Sequence, residues 1–65
     1  MKIFKHLNGY DVQTNTGILT CSPDGYPYMF DEGGQLGSCG IDVNINTIPE
    51  TVAANILKFV YWRIN

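Results

Sequence analysis

Three side chains in this 65-residue chain are soft enough to bind a transition metal or to pair as nucleophile and base: Cys21, Cys39 and His6. A zinc site takes four such ligands, usually in two closely spaced pairs. The cysteines stand 18 positions apart and no CxxC occurs, so neither a metal nor a cofactor is expected. Bridged, the two would close a loop worth about 3 kcal/mol by chain entropy. Without an export signal, free thiols behaving as small hydrophobes are expected instead. A Cys39–His6 pair would have open backbone at Gly37 and Gly40 around the sulfur. A chain this short leaves little room for a substrate pocket and an orienting third group, so no catalytic residues are expected.

Asp31 and Glu32, followed by Gly33 and Gly34, suggest a hard-cation loop. The regularly spaced oxygen ligands of an EF-hand are missing, because Gln35, Leu36 and Ser38 do not supply them. The glycines of Gly33-Gly34-Gln35-Leu36-Gly37 precede a strand instead of a helix and include no lysine, unlike a phosphate-binding turn.

The aromatics point elsewhere. Tyr10, Tyr26, Tyr28, Phe30, Phe59, Tyr61 and Trp62 are many for this length. Stacking on nucleic-acid bases would need interleaved cations. The only basic residues are Lys2, Lys5, Lys58 and Arg63, near the two chain ends, and the net charge is −2. Asp11, Asp24, Asp31 and Glu32 accompany the tyrosines instead. Tyr and Trp also anchor protein interfaces. An acidic, tyrosine-bearing surface over Tyr26, Tyr28, Asp31 and Glu32 therefore suits a basic protein partner, and nucleic-acid binding is the weaker alternative.

The elements that position these residues follow from turns and periodicity. Strands are expected at about 2–7, 10–14, 18–22, 26–30 and 41–46, with turns at Asn8-Gly9, Asn15-Thr16-Gly17 and Pro23-Asp24-Gly25. Pro27 cannot donate to a ladder, so the fourth strand is an edge or its N–H side is free. Tyr26, Tyr28 and Phe30 alternate onto one face of it. Ile41, Val43 and Ile45 alternate inward on the fifth strand. The segment 31–40, with four glycines, is irregular. A helix is expected over about 48–64, opened by a Thr47/Glu50 capping box with Pro49 in its first turn. The fold class is α+β: an antiparallel meander of four to five strands in a single domain, with one C-terminal helix on one face.

The helix carries an apolar arc of roughly 220°, about twice the stripe a surface helix requires. Asn55 and Lys58 hold the polar side, and Trp62 falls among them. Either that surface (Trp62, Lys58, Asn55) or the edge carrying Tyr26, Asp31 and Glu32 would meet a protein partner, in the manner of an inhibitor or adaptor. A self-assembling homodimer is the alternative that would cover the surplus. The longest apolar run is too short to span a bilayer, and no targeting segment is visible, so a cytoplasmic location is expected. A mini-domain without enzyme motifs suits the accessory proteins of phages and mobile elements.

Overall fold

Strict alternation along three consecutive strands decides which side of the sheet becomes the interior. The computed structural model describes residues 1–35 and 40–64, with helix side chains through Tyr61. Strands β1 (Lys2–His6), β2 (Gly9–Gln13), β3 (Gly17–Cys21), β4 (Pro27–Glu32) and β5 (Ile41–Val43) precede a 3-10 turn at Ile45–Thr47 and helix α1 (Glu50–Ile64). All neighbours pair antiparallel. The order β4-β3-β2-β1-β5 makes the first four strands a meander, after which the chain crosses to the far edge and β5 joins β1.

Ile3, Val12 and Leu19 lie opposite one another across β1, β2 and β3. Two residues along, Tyr10 opposes Cys21. All five are buried, and Ile56 and Val60 of the helix complete the same core. Residues 56 and 60 are one turn apart and present a single ridge, so one helix covers this one face. Phe30, Val43, Ile45, Ile48, Val52 and Phe59 pack around the rim. No helix among the described residues is long and apolar enough to cross a membrane.

Several boundaries differ from the expectation, each for a local reason. The first hairpin pairs His6 with Gly9, so its two turn residues are Leu7 and Asn8. Gly9 serves a different need: a Cβ there would strike the Cys21 carbonyl oxygen. The fifth strand stops at Val43, because the Asn44 side chain accepts from Asn46 N–H at 2.9 Å and caps the 3-10 turn. Ile41 overhangs this short edge and is 69% exposed, against the inward place its alternation predicts. The Thr47 hydroxyl donates to the Asn44 carbonyl at 2.7 Å. It therefore belongs to the 3-10 turn, not to a capping box, and the first helical bond runs from Ala53 N–H to the Pro49 carbonyl.

The β3–β4 turn locks the helix in place. Gly25 N–H donates to the Ser22 carbonyl at 2.8 Å. The Asn55 amide of the helix donates to the Asp24 carbonyl at 2.9 Å. Gly25 itself has φ +90°, and a Cβ there would come within 2.6 Å of the Val52 carbonyl oxygen. We therefore expect Gly25→Ala to destabilise the protein by roughly 2–3 kcal/mol, combining backbone strain with displacement of the helix. Urea unfolding followed by circular dichroism checks this, and an unchanged midpoint would show that turn and helix are not coupled here.

Candidate functional site

Strand β4 is an edge strand, one of the two positions that the missing N–H of Pro27 allows. Its pairing with β3 slips between Thr20 and Cys21: Thr20 opposes Met29, whereas Cys21 opposes Pro27. One extra residue, Tyr28, is accommodated there as a bulge. The bulge breaks the single aromatic face expected for Tyr26, Tyr28 and Phe30. Phe30 opposes Leu19 and packs against the core. Tyr26 meets Phe59 of the helix edge to face, with ring centroids 6.1 Å apart. Tyr28 instead borders a hollow with His6, Asp11 and Thr20, on the face the helix does not cover.

That helix-free face can be read from the register. Asp42, Phe4, Asp11, Thr20 and Met29 form one cross-strand row, and Lys2, Gln13, Ile18 and Asp31 form the next. Tyr28 is 65% exposed and Met29 57%, and Asp31 and Glu32 are exposed at the end of β4. The hollow measures about 210 Å³. On its floor, His6 Nε2 lies 2.6 Å from Asp11 Oδ2. At that distance the two groups are within ion-pair range. The ring also rests against Gly40, where a Cβ would approach Cε1 to 2.7 Å. The imidazole thus sits between a carboxylate and a backbone.

Behind the hollow, Cys21 is a free thiol with no exposed surface. Burial, and secondarily the charge of Asp11, push its pKa up to about 11. A thiol held protonated is neither a nucleophile nor a metal ligand. Among the described residues no group of three or more His, Cys, Asp and Glu side chains could hold a metal ion. Cys39, and with it any pairing to Cys21 or His6, lies outside the described residues.

The other anticipated site residues are dispersed. Asn55 spends its amide on the β3–β4 turn. Lys58 is exposed on the helix, and the side chain of Trp62 lies outside the described residues. Lys2 and Lys5 fall on opposite faces of β1, and Lys5 Nζ stands 5.1 Å from the centre of the Tyr10 ring. Asp11, Thr20 and Met29 escaped the sequence analysis as site residues. Alternation against the buried Tyr10, Val12 and Leu19 was the signal that places them together on the outer face.

The Cys21 thiol yields a prediction about pH. Its pKa is 9.0 unfolded and about 11 folded. Between those values the native state binds more protons than the unfolded chain, so stability falls as pH rises. From pH 8 to about 10.5 the loss from this one group should reach roughly 2 kcal/mol. Urea midpoints of the protein and of Cys21→Ala at both pH values isolate it. The two must diverge in slope, and parallel losses would mean that the thiol does not titrate differently on folding. No protein-family model, no curated protein and no solved structure matches this chain.

Proposed function

We propose that the protein is a small non-enzymatic protein-binding module, of inhibitor or adaptor type, that engages a basic partner through the β4 side of the sheet. The observation that carries this reading is the pair Tyr28 and Met29, exposed on an edge strand beside Asp31 and Glu32. No lysine or arginine occurs between Lys5 and Lys58, so β2, β3, β4 and their turns offer acidic charge alone. Exposed aromatic and thioether side chains supply contact area, and the carboxylates select cationic partners and speed encounter. Strand addition is disfavoured, since Pro27, the bulge and the two acids are the features that keep edges from pairing. Recognition therefore runs through side chains. An accessory protein of phages or mobile elements, acting in the cytosol, is the setting this make-up suits.

Tyr28→Ala and Met29→Ala should leave stability within about 0.5 kcal/mol of the parent, as for exposed positions generally. Each should deplete a partner recovered from the native host, while Lys58→Ala on the helix should not. Quantitative mass spectrometry of the captured proteins reads this directly. A partner retained by Tyr28→Ala and lost by Lys58→Ala would move the site to the helix.

One observation favours a second reading, self-assembly. Ala54, Lys58 and Tyr61 are exposed along one side of the helix, with Leu57 half-buried beside them. Two such stripes could cover each other in a homodimer. Sedimentation velocity across micromolar concentrations should then show a dimer that Tyr61→Lys dissociates; a strict monomer removes this alternative. Nucleic-acid binding is less supported still, because Lys2 and Lys5 face opposite ways.

A further inference from the structure

The hollow beside Tyr28 has the chemistry of a socket for one organic cation. Among the described residues that line it, Asp11 is the only carboxylate. A carboxylate offers about four lone-pair sites, and the His6 ring edge occupies only one side of this one. Thr20 and Asn8 also line the wall, both residues that carry acceptor groups, and the exposed Tyr28 forms a flank. His6 is held in place by Gly40, which leaves no room for a Cβ above the ring. The protein's own lysines do not reach in: Lys5 points to the opposite face, over Tyr10. That Lys5–Tyr10 contact shows, within the same sheet, how a cation is received by a tyrosine ring.

A guanidinium group meets these features better than an ammonium. It is planar, stacks on an aromatic ring and donates a fork of hydrogen bonds to a carboxylate. A hollow of about 210 Å³ admits such a head group. A single carboxylate without two further ligands does not hold a metal ion. We propose that the hollow lined by Asp11, Thr20, Asn8 and Tyr28 is an anchor socket for one arginine side chain of the partner. This rests on the protein-binding reading above and names the contact that would make it selective.

The test uses the intact protein and a probe smaller than any partner. Titration of the ¹⁵N-labelled chain with N-acetyl-arginine amide should give saturable shifts at the amides of Asn8, Asp11, Thr20 and Tyr28. The neutral isostere N-acetyl-citrulline amide should give none, and N-acetyl-lysine amide should bind more weakly. Asp11→Asn should reduce the affinity at least tenfold and Tyr28→Ala severalfold. Tyr28→Ala alters an exposed position and keeps the test decisive if Asp11→Asn fails to fold. Equal shifts with citrulline, binding untouched by either substitution, or shifts spread evenly over Asp24, Asp42 and Glu50 would overturn the socket. The two readings separate in a parallel titration with an arginine- and leucine-containing peptide. Binding lost in Met29→Ala but unchanged in Asp11→Asn would overturn the socket and leave the protein-binding module standing.

Discussion

The structure depends on one contact: the ridge of Ile56 and Val60 pressed onto Ile3, Val12, Leu19 and Cys21. Fully burying each such aliphatic side chain is worth about 1.5–3 kcal/mol. A chain of this length has few of them and a thin net margin. The helix cannot shift along the sheet without vacating that ridge. The Asn55 hydrogen bond and the tight approach at Gly25 fix the same position from the β3–β4 turn. Packing and turn geometry therefore enforce one another.

A core on one side leaves the other side to water, and the sheet answers that constraint with polar alternation. Asp11 and Thr20 occupy positions whose neighbours along the strand are buried on both sides, and Gln13 follows the buried Val12. Sheet edges are the second constraint, because unpaired backbone invites another strand. β5 is three residues long, and β4 carries Pro27, a bulge and two acids. The bulge that disrupts the edge also sends Tyr28 away from the helix and beside Asp11. The candidate binding hollow is thus built by the same residue that shields the edge.

Charge follows the topology. Cations sit on β1 and on the helix, while β2 and β4 carry acids without cations and β3 between them carries no charge. The sheet order places those three strands side by side at one flank, which gathers acids scattered through the sequence onto one part of the surface. A field of this kind selects partner charge more than it adds affinity. The exposed Tyr28 and Met29 within it provide the apolar contact area that charge alone lacks.

Period and punctuation were enough to specify the α+β class, the antiparallel pairing of the first four strands, an edge or a free N–H side for β4, and the length of the helix to within two residues at its start. These features are local: alternation, a proline without an N–H, and glycines at turns act through neighbouring residues only. The place of β5 beside β1, the exposure of Ile41 and the divergence of Tyr26 from Tyr28 were not legible. Each depends on which strand lies alongside, and one added residue in a ladder reverses the side-chain pattern from that point on. Likewise His6 and Asp11 are five positions apart with nothing in their spacing to pair them; the hairpin brings them within 2.6 Å, and that meeting exists only once the strands are in register.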